Sequence, residues 1–285
     1  MYLQWSEKTI ERLEKEGRGK GIGASYKPWI GHTDFSPDSK ARSVKGLKIP
    51  RTHFLLSEIE YKFFVCAEWS SEVIDIQEQF PLPRKVSQPV ADKLRIRHPF
   101  YRGTNVPTVM TVDFLLTMQR QDGERYYRAV NIKADSAVED RRTLDKLEIQ
   151  QATLAELNIH QHHLVVESSI PHNVAWNLDL IRTKLPRDLE LPENIVMLHS
   201  LKDQMLRWSQ RLDDKQRDMS GHMLCSHFDE HFGQPEGTGI RVLASLFHEK
   251  ALPVNLGVKS LFDAPWSVVV NDGRKGDELG ILRAA

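Results

Sequence analysis

TVMTVDFLLTMQRQDGERYYRAVNIKAD, residues 108–135, is the stretch from which the fold is read. Both halves are rich in β-branched and aromatic residues alternating with polar ones, and Asp122-Gly123 between them supplies the residue types of a tight hairpin turn. A period of two predicts that Val112, Phe114 and Leu116 face one way and Asp113 the other, while Val130 and Ile132 oppose Asn131 and Lys133. Pairing across the hairpin then brings Asp113 and Lys133 within reach of each other. Carboxylate oxygens placed so suit a hard divalent cation.

Working outward, LLSEIEYKFF precedes the hairpin, and Leu56, Ile59, Phe63, Phe64 and Ala67 recur at helical spacing with Ser57 as the cap. Glu60 lies next to that apolar face, with Glu58 and Glu68 as its rivals on the same helix. A strand is expected over Val73 to Phe80, ended by Pro81 and Pro83, and a polar connection through Arg97 leads back to the hairpin. After Lys133, Thr143 is the expected cap of a helix carrying Leu144, Leu147, Leu154 and Leu157 inward, and Asn158 is its end. Glu148 on that helix is a candidate supporting carboxylate, and residues 162–169 read as a buried strand. Together these describe a mixed α/β sheet of four or five strands with helices on at least one face.

Upstream, Ser6 caps a short helix with Ile10 and Leu13 inward and Gly17 as its stop. GRGKGIGASYKPWI follows as a flexible basic loop, since it meets neither the phosphate-loop pattern nor the dinucleotide fingerprint. Residues 31–53 read as irregular.

Past Pro171 the character changes: residues 188–232 are helical by pattern, QPEGTG breaks them, and Ile240, Leu243, Ala244 and Phe247 mark a further helix. LPVNLGVKSLF and APWSVVVN read as two short strands, so this part is expected to be a winged helix-turn-helix-like domain. The reading is therefore two domains: 1–175, with a basic N-terminal segment 1–53, and 185–285, divided near residues 170–185.

Among 285 residues, 39 Lys and Arg balance 39 Asp and Glu. The distribution is uneven. Residues 1–51 hold eleven Lys/Arg against six Asp/Glu, and residues 84–102 hold six against one, so each stretch carries +5 and the remainder −10. Arg18, Lys20, Lys27, Arg95, Arg97 and Arg102 in these stretches are candidate contacts to a phosphate backbone. The two cysteines, Cys66 and Cys225, lie far apart without a CxxC partner and fit a reducing compartment. No run of eighteen apolar residues occurs and the N-terminus is not a signal peptide, so a cytoplasmic protein with no membrane partner is expected.

A glutamate on a helix, an aspartate on a strand and a lysine 20 residues later on the next strand is the layout of restriction-endonuclease-like nucleases. In that reading Glu60 and Asp113 hold Mg²⁺ with the main-chain carbonyl of Ile132, and Lys133 orients or deprotonates the attacking water. Asn131 stands where such nucleases commonly have an acid, and its amide oxygen is a candidate neutral ligand. Two zinc readings compete in the C-terminal part: HxxEH at His227, Glu230 and His231, or a structural site of His222 and Cys225 with those histidines.

The text itself resembles the TnsA family, the endonuclease subunits of heteromeric cut-and-paste transposases. The likeness is carried by KEGRGKGIGASYKPWI, HFLLSEIEYKFFVCAEWSSEVIDIQEQFPL, RHPFYRGTNVPTVMTVDFLL and NIKADSAVEDRRTLDKLEIQ, and it extends over residues 11–157. It is looser around TGIRVLASLFHEKALPVNLGVKSLF. The resemblance implies a restriction-endonuclease-like catalytic domain whose catalytic residues are Glu60, Asp113 and Lys133, with Asn131 replacing the family's Gln. It also implies Mg²⁺ as cofactor, with Mn²⁺ able to substitute, and cleavage of the 5′, non-transferred strands at transposon ends. The implied partners are DNA, a TnsB-type transposase that cuts the 3′ ends and a TnsC-type ATPase; a non-catalytic adaptor of the same fold is the alternative.

Overall fold

The structure, a computed structural model, describes residues 4–31, 34, 41–186 and 192–270. The described residues divide into one compact unit through Ile170 and a second from Pro171 onward. In order, the first unit contains α1 (Glu7–Lys15), β1 (Arg42–Lys45), β2 (Thr52–Leu55), α2 (Glu58–Trp69), β3 (Val73–Pro81), α3 (Arg84–Leu94), β4 (Thr111–Gln119), β5 (Arg125–Lys133), α4 (Arg141–Glu156) and β6 (Gln161–Val166). β3 to β6 form one mixed sheet in the order β3-β4-β5-β6, with the first three antiparallel and β6 parallel to β5. The parallel crossover runs through α4.

Local chemistry sets the main boundaries. Ser57 accepts the Glu60 N–H and starts α2, as Ser6 accepts that of Thr9 and starts α1. Gly123, at a positive φ of 88°, turns the β4–β5 hairpin. The cap of α4 is Asp140, which accepts from both the amide and the hydroxyl of Thr143; Thr143 itself, the expected cap, is inside the first turn. β6 stops at Val166 and is only half-buried, because it is the sheet's edge and not an interior strand.

The expected polar connection after Pro83 is a helix. In α3, Val86, Val90, Ala91 and Leu94 turn inward against Ile149 and Leu154 of α4. Pro89 removes one helical hydrogen bond but lies on the exposed side. Residues 31–53 read as irregular, but Arg42–Lys45 and Thr52–Leu55 form the β1–β2 hairpin; residues 32, 33 and 35–40 lie outside the described residues.

The glycine-rich loop is also more ordered than its composition suggests, because it covers the open edge of β3. Gly23 N–H donates to Asp75, Gln77 donates to the Gly21 carbonyl, Tyr26 hydroxyl donates to the Glu78 carbonyl, and Trp29 N–H donates to the Gln79 carbonyl. Gly19 is required there: a Cβ would lie 2.2 Å from the Pro81 ring. Covering an edge strand in this way blocks pairing with another chain.

The second unit consists of α5 (His172–Lys184), α6 (Pro192–Ser209), α7 (Asp214–Arg217), α8 (Gly221–His231), α9 (Thr238–His248) and α10 (Trp266–Val269). α9 is its centre, buried along eight of its eleven residues. No wing is present among the described residues: the two expected strands are a loop and α10. The reason is Asn177, fully buried on α5. It donates to the carbonyls of Leu256 and Val258 and accepts from the Leu261 N–H, taking the backbone groups that a strand partner would have used. Val254, Leu256 and Val258 still point inward, which is why the segment looks like a strand.

Candidate active site

The β4–β5 ladder runs from Gln119–Arg125 to Phe114–Val130 and stops there. One residue further, the Asp113 side chain takes the place of a backbone carbonyl: Oδ2 accepts the Ile132 N–H at 2.6 Å. Alternation also breaks at this point. Phe114 meets Phe63 of α2, but Val112 packs with the α3–α4 group, so the expected common face of Val112 and Phe114 does not form. The strands separate where the polar residues gather.

Lys133 reaches across this opening. Its Nζ lies 2.9 Å from Asp113 Oδ2 and 2.9 Å from the Ile132 carbonyl. An ammonium is thus held by two of the oxygens expected from the sequence to be metal donors. Glu60 enters from α2, only 6% exposed. Its Oε2 accepts from Leu56 N–H at 2.9 Å and from Gln79 Nε2 at 3.4 Å, and its Oε1 accepts from the Ser57 hydroxyl at 3.3 Å. Burial, then the negative charge of Asp113, raises its carboxyl to about 7, against the bonds from Leu56 and Ser57 and the charge of Lys133. Two carboxyl groups therefore share one ammonium, which pairs with Asp113, while Glu60 is held toward its protonated form. Hard oxygen donors of this kind fit Mg²⁺ or Mn²⁺.

Other expected residues lie elsewhere. Asn131 is buried; its Nδ2 donates to Gln150 Oε1 at 2.8 Å and its Oδ1 lies 3.3 Å from His162 Nε2, so both polar atoms are engaged. Burial, reinforced by His163, lowers His162 to about 4 despite the Asp113 charge, which keeps the ring neutral. Glu58 pairs with Arg42 at the surface, and Glu68 accepts the Leu47 and Lys48 N–H groups of the β1–β2 turn. Glu148 is exposed, whereas Gln150 two residues later points inward and donates to the Thr111 carbonyl at 2.7 Å. Gln150 had a legible signal: it lies three residues after Leu147 and four before Leu154, a polar residue on the apolar face of α4.

Of the basic candidates, Lys20, Lys27, Arg95, Arg97 and Arg102 are exposed. Arg18 is not. Its guanidinium binds Asp34 and the Trp29 carbonyl and is largely buried, so it serves the fold. Among the described residues no group of three or more His, Cys, Asp and Glu side chains is placed to hold a metal ion, so neither zinc reading finds a site there. The carboxylate oxygens of Glu60 and Asp113 with the Ile132 carbonyl remain as candidate donors. No helix of the described residues is long and apolar enough to cross a membrane.

Residues 70–166 match the family described as TnsA-like endonuclease, N terminal. Asp113 and Lys133 fall inside that match, and Glu60 precedes it by ten residues. The transposon Tn7 transposition protein TnsA of Escherichia coli is 39% identical over 147 residues, which are 52% of this chain and 52% of that protein. The matched region thus spans about half the length of the relative. These two likenesses, which cover about a third and about half of the chain, support a TnsA-type protein: over the part that holds the mixed sheet the chain is similar to that family.

Proposed function

We propose that the protein is a Mg²⁺-dependent DNA endonuclease that cuts the 5′, non-transferred strands at transposon ends. In this reading it works with a TnsB-type transposase, which cuts the 3′ strands, and a TnsC-type ATPase, in the cytoplasm on nucleoid DNA. The observation that carries it is the convergence of Lys133 on Asp113 and the Ile132 carbonyl beside the proton-holding carboxyl of Glu60. Glu60, Asp113 and the Ile132 carbonyl are the proposed ligands. Bound there, Mg²⁺ supplies charge neutralisation at the scissile phosphate and a water of lowered pKa.

The chain's own groups do the rest. Glu60 would hold the cation in its deprotonated form, and Asp113, already bonded by the Ile132 N–H, is fixed in orientation. Lys133 leaves the oxygens it bridges and turns its ammonium to the attacking water and the phosphate oxygens, where charge develops. Asn131 stays in its buried bonds to Gln150 and His162 and holds β5 in place instead of binding metal. Lys20, Lys27, Arg95, Arg97 and Arg102 are proposed to contact phosphates, which positions DNA without reading its sequence.

The test is Asp113→Ala, assayed with the partner transposase, a transposon-end substrate and Mg²⁺, with each strand labelled separately. Loss of 5′-strand nicks with 3′ cleavage retained supports the reading. Unchanged double-strand excision rejects it, and wild-type chain that restores assembly but never a 5′ cut identifies an adaptor.

A further inference from the structure

Gln79 was not singled out by the sequence and touches neither metal-ligand strand end through a conventional ladder, yet its backbone has φ +50°, a value that a side-chain-bearing residue rarely adopts. It lies between the pairs Glu78–Phe114 and Phe80–Val112, hence opposite Asp113 across β3 and β4. Its left-handed conformation reverses the local alternation. Glu78 is bonded to Arg51 and His53 on one side, and Phe80, two residues on, packs with the α3–α4 group. Between them the Gln79 amide is turned inward and is 2% exposed.

Both ends of that amide are used. The Thr111 hydroxyl donates to Oε1 at 3.2 Å, which leaves Nε2 directed to Glu60 Oε2 at 3.4 Å. The main-chain carbonyl accepts from Trp29 N–H at 3.3 Å, so the covering loop holds the strained residue from outside. Thr111 in turn is tied to Gln150, and Gln150 to Asn131. A carboxylate offers about four acceptor positions. Leu56, Gln79 and Ser57 occupy three on Glu60, two on Oε2 and one on Oε1, and a single position on Oε1 remains. Strain of this kind persists only where the surroundings enforce it, and it gathers at functional sites.

We propose that Gln79 is a positioning residue that locks the Glu60 carboxylate so that only Oε1 is offered to the divalent cation, with Thr111 setting which way the amide points. The inference rests on the metal-ligand reading of the preceding subsection. It is tested by Mn²⁺ binding to the full chain, measured calorimetrically for wild type, Gln79→Met and Thr111→Val, together with 5′-strand cleavage across a Mn²⁺ titration. Gln79→Met keeps the length of the side chain and removes its amide. The expected result is a loss of Mn²⁺ affinity of about tenfold or more for Gln79→Met and a smaller loss for Thr111→Val. Cleavage by both variants should recover at saturating Mn²⁺, which a merely structural defect would not do. If Gln79→Met fails to fold, Thr111→Val, which leaves the strained residue intact, decides alone. Wild-type affinity in the variant that folds overturns the inference while leaving the metal site standing. A wild-type chain that binds no Mn²⁺ overturns the site and the inference with it.

Discussion

Two buried carboxylates of the first unit, Glu60 and Glu78, lie in neighbouring polar clusters and are held in opposite states. Glu78 is fully buried, and burial works against its ionisation. Hydrogen bonds from Arg51 and His53 outweigh that cost and hold its carboxyl at about 2. Arg51 Nη1 donates to one carboxylate oxygen at 2.7 Å, His53 Nδ1 lies 2.9 Å from the other, and Phe54 N–H completes the set. Around Glu60 the balance is reversed: its neighbour in charge is Asp113, and the one ammonium nearby is engaged with Asp113. Burial is similar; compensation differs. The compensated cluster ties the β1–β2 hairpin to β3, and in the other the carboxyl of Glu60 is raised by burial and by the charge of Asp113.

The largest test of this contrast is functional. Asp113→Ala should lower 5′-strand nicking on the order of 10³-fold, the scale seen when a principal charge-stabilising group is removed, while Glu78→Gln in chain that remains folded should leave nicking within about tenfold. Strand-specific end labelling distinguishes the two.

Stability should show the opposite ranking. Glu78→Ala leaves the Arg51 guanidinium buried without its partner and should cost about 3–5 kcal/mol in urea unfolding. Glu60→Gln removes repulsion with Asp113 and should unfold at the same or higher urea concentration than metal-free wild type, although it loses nicking. A Glu60→Gln variant markedly less stable than wild type would mean that Glu60 belongs to the structural class with Glu78.

The pH dependence separates the pair further. Glu78 has a folded value of about 2 against an ordinary 4.5, so its contribution is present above 4.5 and is lost as pH falls through the folded value. Glu60 has a folded value of about 7 against 4.5, so its contribution is present below 4.5 and is lost as pH rises through 7. Metal-free wild type should therefore lose up to about 3 kcal/mol relative to Glu60→Gln between pH 4.5 and 8, and Mg²⁺ should restore part of it. Urea midpoints at several pH values with EDTA or Mg²⁺ measure this. At the small end, Glu148→Gln removes an exposed carboxylate and should change stability by less than about 0.5 kcal/mol.

Much of the site was legible because its signals are short. Glu60 follows its cap Ser57 by three residues, and the Asp122-Gly123 turn brings Asp113 and Lys133 together through one hairpin. Gln79 gave no such signal, since a left-handed φ at a non-glycine residue is imposed by Trp29, Thr111 and Glu60, none of them its neighbours in sequence. Arg18 and Lys20 look equivalent in a basic loop, and only the fold turns one onto Asp34 and leaves the other in solvent.

Sequence alone therefore determined what is decided within a few residues: the caps of α1 and α2, the hairpin, the inward face of α9, that of α4 apart from Leu144, expected inward but exposed in its first turn, and the acid and base types available for chemistry. Tertiary structure decided what depends on distant partners. α3 forms around Pro89 because Ile149 and Leu154 receive its inner face, and residues 254–258 become a loop because Asn177 takes their backbone bonds. It also decided which glutamate is ionised: Glu60 and Glu78 are the same side chain, equally able to be buried, and the charges that the fold brings beside each set them apart.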